Sequence, residues 1–218
     1  MTRTQLRAFV RTVLQEPSAK KWTDAVLDAL LDDATEHLWS MLANNVEGAW
    51  YEEESTAQNI VSGTERYAWP TKGTTPARNM MRLTRVERVN VDTPYDLDDI
   101  PKSDRHAYLN AGSAVYSTFR YYQEPPYIVL VPSPTVSETG ALVYHGVFEH
   151  GNLQSDADSP RLPTRFHRLV AYYAAMMALG LDETAATWPA PSYASGVAQM
   201  ISDCQTHEIS YTKPPEDY

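Results

Sequence analysis

Histidine and glutamate are the side chains most often used to hold a divalent metal and activate water. His145, Glu149 and His150 stand together in His-Gly-Val-Phe-Glu-His. The spacing fits neither the His-Glu-x-x-His helix nor its inverse. On a strand, His145 and Glu149 would share one face and His150 would point to the other. A third ligand would have to come from elsewhere, so polar residues at a strand end are expected rather than a metal site. Gly146 and Gly151 have the spacing of a phosphate-binding loop, but Asn152 and Leu153 stand where Lys and Ser/Thr are needed. No two of the nine glycines are separated by one residue, which removes the dinucleotide fingerprint, and no Gly-x-Ser-x-Gly elbow occurs. The one cysteine, Cys204, allows neither an intrachain disulfide nor a cysteine-cluster zinc site; a half-buried, unreactive thiol and a reducing compartment are expected. His37, His106, His167 and His207 are isolated, and His167, between Arg165 and Arg168, reads as a helix-surface residue. No catalytic, metal-binding or cofactor-binding residue is therefore assigned, and an enzyme is not expected.

Nucleic-acid chemistry has one candidate, the basic run Arg78, Arg82, Arg85 and Arg88. Four such cations on one surface would attract a phosphate backbone. Trp50, Tyr51 and Trp188 could stack on bases, but Glu52, Glu53 and Glu54 follow the first pair directly, which is wrong for a single-strand groove. An ion-paired or solvated arginine segment is the expectation.

The whole chain has 218 residues and a formal net charge of -10. That balance disfavours coating of DNA and attachment to an anionic membrane. No apolar run approaches the about 18 residues that span a bilayer. Charge is segregated along the chain. Residues 1–21 carry +4, residues 22–65 carry -10 and residues 66–90 carry +5. Asp24, Asp28 and Asp32 form an acidic stripe one helical turn apart. The stripe is expected either to be solvated or to face a cationic partner surface or a channel that must not hold a polyanion. The alternation of blocks suggests contact between copies of the chain.

Positioning these residues requires helices at both ends and strands between. A first helix is expected from about Thr4 to Leu14, with Arg3, Arg7 and Arg11 on one face. A second, capped by Thr23, runs to about Leu42. The middle is rich in Pro and Tyr, with strands expected at Ile60-Val61, Glu65 to Trp69, Leu83 to Val91, Val115 to Gln123, Tyr127 to Val131 and Ala141 to Phe148. An antiparallel arrangement is expected, since no crossover helix fits between them. Helix returns from Thr164 to about Leu181. Its segment Leu169 to Leu179 is apolar on every side, which calls for a central position or burial against another subunit. A last helix spans about Ser192 to Glu208, followed by an extended tail, Tyr211 to Tyr218.

Several segments, in this order, resemble the head-to-tail adaptor (connector) proteins of tailed bacteriophages. Thr2-Arg3-Thr4-Gln5-Leu6-Arg7 opens the chain, and Trp22-Thr23-Asp24-Ala25-Val26-Leu27 is similar to the family's Trp-[Ser/Thr]-Asp-x-x-Leu entry to an acidic second helix. Tyr67-Ala68-Trp69-Pro70 resembles its Tyr-x-Leu-Pro, with Trp69 in place of leucine. Arg82 to Glu87, Tyr127 to Pro134 and Leu142 to Gly146 resemble successive strands. Leu162-Pro163-Thr164-Arg165-Phe166-His167-Arg168-Leu169-Val170-Ala171-Tyr172-Tyr173-Ala174 resembles its [Leu/Ile]-Pro-x-x-[Tyr/Phe]-His-x-x-Leu-Val-x-Tyr-Ala. The likeness covers about Thr2 to Glu208. The loop from Asp92 to Ala114 lacks the Gly-x-Pro-x-Tyr turn of the family, and the Pro-rich tail lies outside the shared pattern.

The resemblance implies an α+β fold. A helical bundle from the N- and C-terminal helix pairs (residues 1–50 and 160–208) would carry an inserted antiparallel β-domain (51–159), with a tail at 209–218. It implies a structural virion protein without cofactor. Such a protein forms a ring with itself, typically of twelve subunits, in the neck between portal and tail or nozzle components, and extends the channel through which DNA passes. It would be made in the host bacterial cytoplasm. Candidate portal or inter-subunit contacts are Tyr172, Met176, Tyr211, Pro214, Pro215 and Tyr218. Candidate charged contacts or channel surface are Asp24, Asp28, Asp32, Arg78, Arg82, Arg85 and Arg88. The alternatives are a tail-side gatekeeper or tail tubular protein, a nucleic-acid-binding module using Arg78 to Arg88, and a metallohydrolase using His145, Glu149 and His150.

Overall fold

The structure, a computed structural model, describes residues 1–16, 21–45, 51–73, 77–109, 119–181 and 187–206. Its described helices are α1 (Arg3–Val13), α2 (Asp24–Asn45), α3 (Arg105–Leu109), α4 (His167–Leu179) and α5 (Ala190–Thr206). With two sheets they make a mixed α+β protein. The chain divides into two units: residues 1–50 with 149–218, and residues 51–148.

In the first unit α1 starts one residue earlier than its apolar pattern predicts. Thr2 and Gln5 form a capping box that satisfies the first free amide groups, worth about 1 kcal/mol. Leu6, Val10 and Val13 are buried from α1, and Leu27, Leu31, Ala34, Leu38 and Leu42 from α2, each set spaced for one helix face. The apolar helix α4 packs against α1, α2 and α5. Leu169, Val170, Ala171, Ala174, Ala175 and Met176 are all buried there. A central position therefore covers most of α4 without another subunit. Leu179, at its end, is 48% exposed. Gly180 closes the helix in the left-handed conformation, φ 66°, which a glycine adopts at little cost. Before α4, Thr164–Phe166 form one 3-10 turn where the sequence pattern suggested α-helix.

Residues 149–163 hold no strand and are tied to the helices of the same unit. The Leu153 carbonyl accepts from Arg3 Nη1 at 2.5 Å, the Leu153 amide donates to Asp32 at 2.9 Å, and the His150 amide donates to Glu36 at 3.0 Å.

The second unit contains strands β1 (Glu53–Glu54), β2 (Gln58–Ile60), β3 (Arg66–Ala68), β4 (Thr71–Lys72), β5 (Arg78–Arg88), β6 (Tyr95–Asp96), β7 (Asp98–Asp99), β8 (Arg120–Glu124), β9 (Tyr127–Val131) and β10 (Glu138–Phe148). One sheet has the order β1-β10-β5-β4, with β2 also on β10 and β6 on β5. The other has the order β3-β9-β8-β7. All pairs are antiparallel except β7 with β8, which run parallel. This corrects the all-antiparallel expectation. The connection between those two strands is long enough for a crossover and contains α3, a helix whose five residues carry too little periodicity to be read.

The apolar run Ile128-Val129-Leu130-Val131 is buried on both faces. Ile128 and Leu130 join Tyr121, Leu83, Val86, Leu142, Tyr144 and Phe148 in a core drawn from both sheets. Val129 and Val131 point the other way, to Tyr122, Ile100 and Tyr108 of α3. A strand covered on both sides reads as continuous hydrophobicity, not alternation.

Candidate functional site

The acidic stripe of α2 faces the basic stripe of α1. Asp28 lies 3.1 Å from Arg3 Nε and 3.4 Å from Arg7 Nε, and Asp24 lies 2.6 Å from Arg11 Nη2 and 3.5 Å from Arg7 Nη1. Arg7 also pairs with Asp156. The order is antiparallel: Arg3 meets the later aspartate and Arg11 the earlier. Two stripes of the same four-residue period thus interlock along a helix pair. Asp28 is accordingly engaged within the unit, while Asp24 pairs with α1 and keeps 62% of its side chain exposed. The hydrogen bond from Arg11 holds the Asp24 carboxyl below its ordinary value. Asp32 instead caps the Leu153 amide, and burial pushes its carboxyl up despite that bond. Glu36 is likewise raised by burial.

The arginine run lies along β5 and meets carboxylates from three other segments. Arg78 makes a two-pronged pair with Glu53, at 2.8 and 2.9 Å, and Lys72 reaches the same carboxylate at 2.9 Å. Arg85 lies 2.7 Å from Asp96 and 3.6 Å from Glu52, and Arg88 lies 2.5 Å from Glu138. Arg82 donates to the Tyr51 hydroxyl at 2.7 Å. The run is therefore an ion-paired strand, as its expected bland reading has it, and the nucleic-acid reading loses its free cations. The -10 block is partly neutralised by the +4 block in the first unit and by the +5 block in the second, so the alternation is not by itself a signal for contact between copies.

His145 and His150 belong to different units and Glu149 lies past the end of β10. His145 is buried, with Nε2 3.0 Å from Glu87 and Nδ1 3.1 Å from Arg85 Nη2. Because guanidinium only donates, Nδ1 accepts and Nε2–H donates to Glu87. His150 accepts the Arg161 amide on Nε2 at 2.7 Å and donates from Nδ1 to the Gly151 carbonyl at 2.7 Å. Its ring stands edge-on to Trp39, 5.7 Å away. Both histidines brace loops and strands. Among the described residues no group of three His, Cys, Asp or Glu is placed to hold a metal ion.

His167 is not a helix-surface residue. Only 3% of it is exposed; Nε2 donates to the Leu162 carbonyl at 2.8 Å and Nδ1 faces the Met1 amino group at 2.5 Å. Burial lowers its pKa below the ordinary value of 6.5. A histidine so depressed favours the fold while neutral in both states, above about pH 6.5. As pH falls through that value, the unfolded chain takes up a proton that the fold resists, and stability drops. Thermal melting should therefore fall from pH 7.5 to pH 5.5, and His167→Gln should flatten that dependence. An unchanged slope in the variant would remove His167 as its cause. Cys204 is fully buried rather than half-buried, and burial raises its thiol to about 11, which keeps it protonated and unreactive.

Of the apolar interface candidates, Met176 is 1% exposed and belongs to the core of its own unit. Tyr172 is half-buried between Phe9 and Trp188, with ring centroids 5.6 and 6.1 Å away. Trp188 is 49% exposed. Tyr211, Pro214, Pro215 and Tyr218 lie outside the described residues, as do Trp50 and His207. Sequence reasoning missed a groove of about 530 Å³ lined by Met1, Gln5, Phe9, Thr164, Arg165 and Arg168. Its two arginines were visible only as neighbours of a histidine.

These features define a class: a two-unit α+β protein whose charged side chains mostly secure its own architecture. The SU10 adaptor protein family model matches residues 1–208, and the chain belongs to that family of tailed-phage head-to-tail adaptors. It has the structural role of a phage adaptor in the virion neck, among other neck components and copies of itself. No curated protein matches the sequence. Among the described residues no helix is long and apolar enough to cross a membrane.

Proposed function

We infer that the protein is a ring-forming head-to-tail adaptor that binds the portal, receives a tail or nozzle component and extends the DNA channel. Twelve copies form the ring. The observation that carries this reading is the match to one adaptor family along residues 1–208, which takes in both units. In this reading the N- and C-terminal helix pairs act as one bundle and the β-rich middle as an inserted domain. Contacts to the portal or a neighbouring subunit come from Tyr172, beside exposed Trp188, and from Tyr211, Pro214, Pro215 and Tyr218. Of the charged candidates, Asp24 and Arg85 have the freest side chains, 62% and 42% exposed, and are the ones available to a neighbour. The acidic remainder suits a conduit past which DNA slides without sticking.

The mass of the particle formed in solution, with and without portal, tests this. A portal-dependent ring is expected, with or without a ring of the isolated chain. A compact monomer that never joins a portal would overturn it. Removing residues 209–218 should weaken portal attachment, and wild-type attachment would release those residues from the proposed contact.

A further inference from the structure

Helix α2 carries more apolar surface than its own unit covers. Leu27, Leu31, Ala34, Leu38 and Leu42 are buried, but Val26 is 42% exposed and Leu30 is half-buried. Val26, Leu30, Asp33 and His37 recur every three or four residues and so share one face of the helix. Asp33, on that stripe, is exposed and has no cationic partner among the described residues. A second stripe runs along α4. Arg168, Tyr172 and Leu179 fall within about 40° of one another around the helix axis. Arg168 is exposed, and among the described residues it has no carboxylate partner. The Trp188 ring stands against Tyr172 at 6.1 Å, and Leu179 and Trp188 are 48% and 49% exposed.

The two stripes look out on different sides of α4. Tyr172 turns to Phe9 of α1 and to Trp188. Tyr173, about 100° further round the helix, stacks on His37 of the α2 stripe at 4.2 Å and meets Tyr193 of α5 at 5.1 Å. One stripe is aliphatic with an acid, and the other is aromatic and aliphatic with a base. They match in character but are turned apart, so each finds its complement on a second copy and not within its own subunit. Matching patches on different faces make a head-to-tail contact, which closes into a ring when the rotation between copies allows it. We propose that the α2 stripe of one subunit packs on the α4 stripe of the next. Asp33 stands opposite Arg168, and Val26 and Leu30 lie against Trp188 and Leu179. Opposite charges fix the register, and the apolar groups supply the buried area. The proposal rests on the ring-forming reading and deepens it, since it gives Tyr172 and Trp188 a neighbouring subunit as their partner.

Two charge reversals in the full chain test it, with particle mass read over a range of concentrations in the presence of portal. Asp33→Arg and Arg168→Asp should each raise the concentration needed for ring assembly by about 10-fold or more, because each sets like charges together. Melting of the subunit should stay the same, since both side chains are exposed. Both substitutions in one chain should restore assembly. An equimolar mixture of the two single variants should restore it too, because alternating copies then meet with opposite charges at every contact. Mixing repairs a contact between copies and nothing inside a subunit. Wild-type assembly by either single variant overturns the proposal. A defect that neither the double variant nor the mixture repairs overturns it as well, including one that leaves the ring whole and loosens only the portal. A wild-type chain that forms no ring overturns the ring-forming reading and the proposal with it.

Discussion

Gly146→Ala should destabilise the β-rich unit by about 3 kcal/mol, the range of a small-to-large change in a packed interior. Gly146 sits on β10 where its register against β5 shifts, opposite Leu83. A Cβ there would lie 2.3 Å from the Arg82 carbonyl oxygen and 3.2 Å from Met80 Sδ and Cε. Methionine can yield, but a backbone carbonyl in the neighbouring strand cannot move without breaking the ladder between β5 and β10. The same strands carry Arg78, Arg82, Arg85 and Arg88, so the paired arginines would lose their frame as well. A loss of that size lowers the melting temperature of a domain of this size by roughly 10–20 °C. Gly63→Ala is the control. Gly63 has φ 76° but nothing within 4 Å of a built Cβ, so only conformational strain of about 1 kcal/mol is expected. Equal melting of Gly146→Ala and the wild type would refute the close approach.

Asp28→Ala should cost about 2 kcal/mol, between the small worth of an exposed ion pair and the larger loss on breaking a buried one. The Asp28, Arg3 and Arg7 side chains are only 18, 15 and 14% exposed. Without Asp28, Arg7 retains Asp24 and Asp156, while Arg3 retains the Leu153 carbonyl but, among the described residues, no carboxylate at ion-pair distance. Arg3 Nε and Asp28 Oδ1 are close but poorly aligned for a hydrogen bond, so the attraction there is chiefly coulombic. Asp28→Lys should cost more, since it places three cations together. Chemical denaturation of the isolated chain measures both. If Asp28 instead served an outward contact or the channel, the isolated chain would keep its stability and only assembly would suffer. A double-mutant cycle with Arg7→Ala should show coupling of about 1 kcal/mol.

The seam between α1 and α2 shows how much of the site was legible. Arg3, Arg7 and Arg11 recur every four residues, as do Asp24, Asp28 and Asp32, on consecutive helices joined by a short segment. Matched period, opposite sign and a short connection together point to antiparallel pairing. Taking each stripe alone led to a solvated face or a partner surface. The arginines of β5 were harder. Their carboxylates come from Glu53, Asp96 and Glu138, on strands of two or three residues or from the far end of β10, and two-residue strands leave no periodic trace. The groove was least legible, because Phe9 and Arg168 lie far apart in sequence and meet only when α4 packs on α1.

Local chemistry determined the helices at both ends, the strands between them, the poverty of catalytic motifs and the resemblance that the family match bears out. Each of these depends on residues within one or two turns or on short ordered motifs, and short-range sterics and periodic hydrophobicity act without a partner. Only the tertiary structure decided which charges meet, that His167 is buried, that β7 and β8 run parallel and that Met176 is core. Those facts depend on which faces the topology brings together. Coulombic and packing energies fall off over a few ångströms in space, and the sequence does not list those distances.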